Sequence, residues 1–130
     1  MIEKTLIVLK PDAVADRNAL PILEEFQSAF LNAIEMKMVR FDDQMVEKLY
    51  GQHKGKSFYD GNAEFMKSGR SVIIVLEGEG AIAKVRKMVG GLNELGTIRA
   101  RYGTKNPCNA VHASDSPEAA AREIKAFFGE

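Results

Sequence analysis

Short apolar runs alternate along the chain with stretches in which apolar residues recur every three or four positions, the rhythm of strands interleaved with helices. Thr5-Leu6-Ile7-Val8-Leu9, closed by Lys10-Pro11-Asp12, predicts a buried strand that ends in a turn. A helix follows, with Pro21 tolerated in its first turn and Ile22, Leu23, Phe26 and Phe30 on its inner side. Ile34, Met36 and Met38 then alternate with Glu35 and Lys37, the period of a half-buried strand. Asp42 and Asp43 suit the start of a helix that carries Met45, Val46 and Leu49 towards Tyr50. Residues 51–69 are punctuated by glycine, with a short helix expected around Ala63–Lys67.

The run Ser71–Glu77 is rich in β-branched residues and predicts a central strand covered on both faces. Ala81–Val89 has helical spacing, with Ile82, Val85 and Val89 inward and Gly90-Gly91 as the stop. Leu92–Pro107 shows little periodicity and is expected to be loop. Asn109-Ala110-Val111-His112 predicts a short last strand, and Ser116-Pro117 opens a helix with Ala120, Ile124 and Phe127 as its inner stripe. The order β-α-β, helical excursion, β-α-β-α is a split βαβ. It predicts an α/β (α+β) fold of ferredoxin-like type, a four-stranded antiparallel sheet with covering helices, in one domain spanning residues 1–130. Such a scaffold hosts enzymes, regulatory domains and RNA binders alike, so function must be sought in a site.

Composition narrows the field. Hydrophobic residues make up 45% of the chain and charged residues 28%, enough of each for a buried core and a wetted surface. Lysine plus arginine (18) balances aspartate plus glutamate (18), which argues against a module that neutralises many phosphates of a nucleic acid. One cysteine, Cys108, excludes an intramolecular disulfide and suits a reducing compartment. The longest apolar runs, Leu6–Leu9 and Val72–Leu76, are too short for a membrane span or for the core of a secretory signal. The expected setting is cytoplasmic.

Two familiar chemistries fall away. Gly55-Lys56-Ser57 resembles the end of a phosphate loop, but the required earlier glycine falls on Tyr50 and no strand precedes it. Two distant histidines without clustered cysteines do not make a structural zinc site, and His53, in Gln52-His53-Lys54-Gly55-Lys56, reads as a solvated residue. His112 is different, because it closes a strand just before Ala113-Ser114-Asp115-Ser116. A strand end feeding a helix N-terminus exposes reactive side chains and anion-binding N–H groups. Taken alone, the placement leaves two readings open: a reactive histidine, or a bystander beside ordinary turn and capping residues. A hydrolase triad of Ser114, His112 and Asp115 is excluded by spacing, since near-consecutive residues crossing a turn do not converge.

Six segments together carry a resemblance. Thr5–Val14, His53–Tyr59, Phe65–Gly69, Val75–Gly78, Gly96–Arg99 and Asn109–Ser116 resemble, in order and over essentially the whole chain, the motifs of nucleoside diphosphate kinases. The last matches that family's signature around its catalytic histidine. The resemblance implies transfer of the γ-phosphate of a nucleoside triphosphate onto His112 and then to a nucleoside diphosphate, with ping-pong kinetics. Glu123 matches the carboxylate that holds the histidine ring, Tyr50 the tyrosine close to it and Ser114 the hydroxyl that assists. Arg86 and Arg99 match the phosphate-binding arginines, Lys10 the lysine near ribose and phosphates, and Asn109 the amide that holds a ribose hydroxyl. Phe58 matches the aromatic on which the base stacks, a contact open to every base. Mg²⁺ is implied as a companion of the nucleotide phosphates rather than the occupant of a protein cage. A homo-oligomer built on dimers, tetramer or hexamer, is also implied, with the edge strand Ile34–Phe41 as the candidate contact.

The chain departs from the family pattern in places. Residues 90–96 form a shorter stretch than usual and lack its prolines, and Leu92 stands where a phosphate-contacting threonine is expected. An alkyl chain cannot donate that hydrogen bond. Ala113 replaces the glycine that usually follows the histidine, and would be strained if that position required a positive φ; Pro21 and Phe30 stand where glycines are common. The alternatives are a catalytically weak relative retained for binding nucleotides or partners, and a ferredoxin-like regulatory module. The second gives no reason for His112 and Glu123 to occur with Arg86 and Arg99.

Overall fold

Leu6 and Val8 face one side of their strand and Ile7 and Leu9 the other, and all four are buried, which is why the run shows no polar alternation. The computed structural model describes residues 1–129. Strands β1 (Ile2–Leu9), β2 (Asn32–Arg40), β3 (Arg70–Glu79) and β4 (Val111–Ala113) form one antiparallel sheet in the order β2-β3-β1-β4. Helices α1 (Pro11–Ala15), α2 (Ala19–Ser28), α3 (Asp43–Tyr50), α4 (Tyr59–Lys67), α5 (Ala81–Val89), α6 (Ile98–Tyr102) and α7 (Pro117–Phe128) cover it. The expected ferredoxin-like α+β arrangement is therefore what the chain adopts.

The sheet separates two cores. On one face Ile7, Leu9, Ile74 and Leu76 pack with Ile22 and Phe26 of α2, Val85 and Val89 of α5 and Ile98 of α6. On the other, Leu6, Val8, Ile73 and Val75 pack with Val46 and Leu49 of α3, Met66 of α4 and Ile124 and Phe127 of α7. The helix starts follow from local chemistry. The Met45 N–H donates to Asp42 Oδ1 at 2.9 Å, and the Ala119 N–H to Ser116 Oγ at 3.0 Å with Pro117 opening α7.

Several expectations are corrected. In β2 the phase is inverted: Ile34, Met36 and Met38 are exposed, while Ala33, Glu35 and Val39 are half-buried. Met36 and Met38 pair with Ile74 and Val72 across the sheet, so they continue that apolar face beyond the reach of the helices. Phe30 does not join the inner side of α2; it follows the helix at φ +63° and is 84% exposed. The stretch expected to be loop contains α6, the short helix of residues 63–67 starts at Tyr59, and β4 begins at Val111 rather than Asn109. Ala113 lies in extended backbone in β4, so the substitution of glycine there brings no strain. The positive φ sits at Ala110 instead, at +73°.

Candidate active site

Alternation in β4 decides where the histidine goes. Val111 and Ala113 face the core of α2 and α5, so His112 between them faces the side of α3 and α7. Its Nε2 lies 3.0 Å from Glu123 Oε1, and the Glu123 carboxylate, 2% exposed, comes from the inner face of α7. A carboxylate oxygen only accepts, so Nε2 carries the proton and Nδ1 keeps its lone pair. Ser114 is fully buried behind the pair, and its hydroxyl donates to the same Glu123 oxygen at 2.7 Å. The Arg122 guanidinium approaches the other carboxylate oxygen at 3.7 Å. The Tyr50 ring stands edge-on to the imidazole, centroids 5.6 Å apart at 85°. Burial pushes the His112 ring below the ordinary histidine value, a shift that the Glu123 contact only partly offsets. Burial also raises Tyr50, which keeps its hydroxyl protonated.

His112 lines a cleft of about 490 Å³ together with Lys10, Tyr50, Phe58, Arg99 and Asn109. Lys10 leaves the end of β1 almost fully buried, and its Nζ donates to Asn109 Oδ1 at 2.7 Å. Burial, reinforced by the neighbouring Arg99, lowers Lys10 to about 7. The Asn109 amide in turn donates to Asn106 Oδ1 at 2.9 Å. Arg99 projects from α6 and grips backbone: its Nε and Nη2 donate to the Val111 carbonyl at 3.2 and 2.9 Å, and its Nη1 to the Gly90 carbonyl at 3.3 Å. Gly90 in turn lets Thr97, the residue that opens α6, come close, because a Cβ there would meet Thr97 Cγ2 at 2.3 Å. Phe58, 55% exposed, forms one wall of the mouth.

Not every expected residue reaches the cleft. Arg86 is exposed and donates to the Ala113 carbonyl at 3.2 Å, and it does not line the cleft, although its charge helps to lower Arg99. Leu92 also stands outside, packed against Gly103. Glu123 and Ser114 lie behind His112 rather than in the opening. The cleft adds His53, Asn62, Asn106 and Pro107. His53 is not merely solvated: its ring lies 5.5 Å from Phe58, with Lys56 Nζ 3.1 Å from its Nδ1. Asn62 had a signal to find it by, one helical turn from Phe58 and so on the same face.

A half-buried, carboxylate-paired imidazole facing a cleft of lysine, arginine, amide and aromatic groups is suited to anionic, ring-bearing substrates. Known proteins agree. The family model described as nucleoside diphosphate kinase matches residues 3–130. A nucleoside diphosphate kinase of Methanocaldococcus jannaschii is 48% identical over 100% of this chain and 96% of its own. One from Methanococcus maripaludis is 44% identical over 98% of each chain. Among solved structures, the Aquifex aeolicus nucleoside diphosphate kinase superposes with a TM-score of 0.93 at 38% identity, covering 98% of this chain and 96% of that one. The Halobacterium salinarum enzyme in complex with CDP gives 0.95 at 32% identity, covering 100% and 90%. The chain thus belongs to the nucleoside diphosphate kinase family.

Proposed function

We propose that this nucleotide phosphotransferase works through His112, taking the γ-phosphate of ATP and passing it to a nucleoside diphosphate in the same cleft. One observation carries the reading: Glu123 occupies Nε2, which leaves Nδ1 as the nucleophile. The Nδ1 lone pair attacks the γ-phosphorus, the bond to the β–γ bridging oxygen breaks, and the nucleoside diphosphate departs with that electron pair. In the return half, a terminal phosphate oxygen of the acceptor attacks, and the P–N bond breaks back onto Nδ1. The Nε2 proton never has to leave. As the ring becomes electron-poor, the Glu123 carboxylate on Nε2–H stabilises it, and Ser114 holds that carboxylate in place.

Lys10 and Arg99 supply positive charge to the moving phosphate oxygens, with Arg86 adding field from outside the cleft. Asn109 offers its amide to a ribose hydroxyl, and Phe58 a face for the base. Tyr50 packs the imidazole edge and excludes water. The donor set of the cleft suits phosphates that bring their own Mg²⁺, which would supply further positive charge to them. Among the described residues no group of three or more His, Cys, Asp or Glu stands ready to hold a metal. The reading of a relative that binds without turnover rests on Leu92, which lies outside the cleft, and on the shortened stretch of residues 90–96.

The exposed stripe Ile34, Met36 and Met38 on the free edge strand supports assembly of identical subunits, dimers first and tetramers or hexamers from them. Among the described residues no helix is long and apolar enough to cross a membrane, and the free Cys108 suits work in the cytoplasm. The test is stoichiometric incubation with γ-labelled ATP, wild type beside His112→Ala, followed by a chase with GDP. Label held by the wild type alone and passed to GDP is expected. Label retained by His112→Ala would overturn the assignment.

A further inference from the structure

Asn109 and His112 bracket Ala110, which is fully buried at φ +73°. A residue with a Cβ adopts this backbone only when its surroundings compel it. Here they do so at both ends. The Ala110 N–H donates to Asp12 Oδ2 at 3.1 Å, and its carbonyl accepts from the Lys10 N–H at 2.8 Å. The Val111 N–H closes the turn onto the Asn109 carbonyl at 2.9 Å, a three-residue turn of the strained kind. The other Asp12 oxygen, Oδ1, is buried without a hydrogen-bond partner. Burial raises the Asp12 carboxyl, while the Ala13 and Ala110 N–H groups, then the Lys10 charge, work in the opposite direction. One carboxylate oxygen is buried without a partner while the other reaches across to Ala110, a contact that lies beyond the start of α1.

We propose that Asp12 is a positioning residue of the phosphotransfer site, whose carboxylate holds Ala110 in its left-handed turn and so sets the span between Asn109 and His112. The inference rests on the reading of those two residues as sugar-holding amide and nucleophile. A nucleotide gripped at the ribose and attacked at the γ-phosphate samples that span directly. An ångström of error there is expensive, because a small misplacement can cost about 10²-fold in rate. Lys10 Nζ on Asn109 fixes the amide's orientation, the Lys10 N–H and the Arg99 guanidinium hold the Ala110 and Val111 carbonyls, and Asp12 is the side chain that holds the Ala110 N–H.

The experiment is single-turnover labelling with γ-labelled ATP and γ-labelled 2′,3′-dideoxy-ATP, alongside thermal melts. The variants are Asp12→Ala, Asp12→Asn, Ala110→Gly and Asp12→Ala with Ala110→Gly. Asp12→Ala should label from ATP about 10-fold or more slowly, with a smaller fold-loss from the dideoxy nucleotide, which has no hydroxyl for Asn109 to hold. Asp12→Asn, whose amide oxygen still accepts, should keep most of the rate. Glycine holds a positive φ unaided, so Ala110→Gly should restore part of the loss in the double variant. Wild-type rates in Asp12→Ala, or equal losses with both nucleotides and no recovery from Ala110→Gly, would overturn the proposal. Should Asp12→Ala fail to fold, a double variant that also fails to fold or label overturns it. Absence of label in the wild type, or label persisting in His112→Ala, is a different failure: it sinks the phosphohistidine reading first, and this inference with it.

Discussion

Glu123 Oε1 is shared between His112 Nε2 and Ser114 Oγ, at 3.0 and 2.7 Å. The sharing makes the carboxylate an orienting group for the ring and the serine an orienting group for the carboxylate. Glu123→Gln keeps the shape but removes the charge that stabilises the phosphorylated ring, and its amide can present N–H to Nε2. Labelling by γ-labelled ATP should slow by roughly 10²-fold or more, while the melting temperature changes little. Ser114→Ala should cost less, about 10-fold. A Glu123→Gln rate near wild type would remove the carboxylate from the mechanism.

The acid limb of the reaction should lie lower than for an ordinary histidine. The attacking Nδ1 needs a neutral ring, and burial lowers His112 from its usual 6.5. The labelling rate should therefore hold steady as the pH falls through 6.5 and decline only below it. Nitrogen NMR titration of His112 gives the same midpoint directly. A midpoint at or above 6.5 would contradict the burial argument.

Lys10 should take up a proton when nucleotide binds. In the empty site its amine is poised at about 7 because burial and Arg99 disfavour its charge. Bound phosphate reverses that balance, so uptake should grow as the pH rises above about 7, and affinity should weaken over the same interval. Calorimetry in two buffers of different ionisation enthalpy reads the uptake. Lys10→Met should abolish it.

Much of this site is legible in the sequence, but unevenly. β1 and β3 are read directly, because strands buried on both faces are apolar without interruption. α7 is equally plain, and its stripe of Ala120, Ile124 and Phe127 puts Glu123 on the inward side. β2 misled because alternation reveals two faces without saying how far the helices on each reach towards the edge of the sheet. α6 was missed because its five residues contain one buried side chain, Ile98. The clue was Thr97, whose hydroxyl accepts from the Ala100 N–H at 3.4 Å in the manner of a cap. His53 carried no local signal, since its place depends on where Phe58 folds back. Ala110 could not be found either, for an alanine announces nothing of a left-handed backbone.

Arg99→Lys tests whether charge or shape matters in α6. Lysine keeps the positive charge but cannot hold the Val111 and Gly90 carbonyls together. Stability should fall by about 2 kcal/mol and the KM for ATP should rise, with the melt and steady-state kinetics as readouts. A wild-type melt would mean the fork is incidental.

Met36→Glu should shift the assembly towards smaller species, because it sets a charge in the exposed stripe of β2 without disturbing either core. Light scattering after gel filtration gives the mass. An unchanged mass would move the subunit contact off this strand.

The arginines have one more consequence. β4 is the outermost strand on its side of the sheet, and its carbonyls at Val111 and Ala113 are met by Arg99 and Arg86. An uncovered strand border is a template for another chain. Here the border is sealed by guanidinium groups instead of a fifth strand. Protection from sticking is thus built into this strand by two side chains, and losing either arginine would leave it open to strangers.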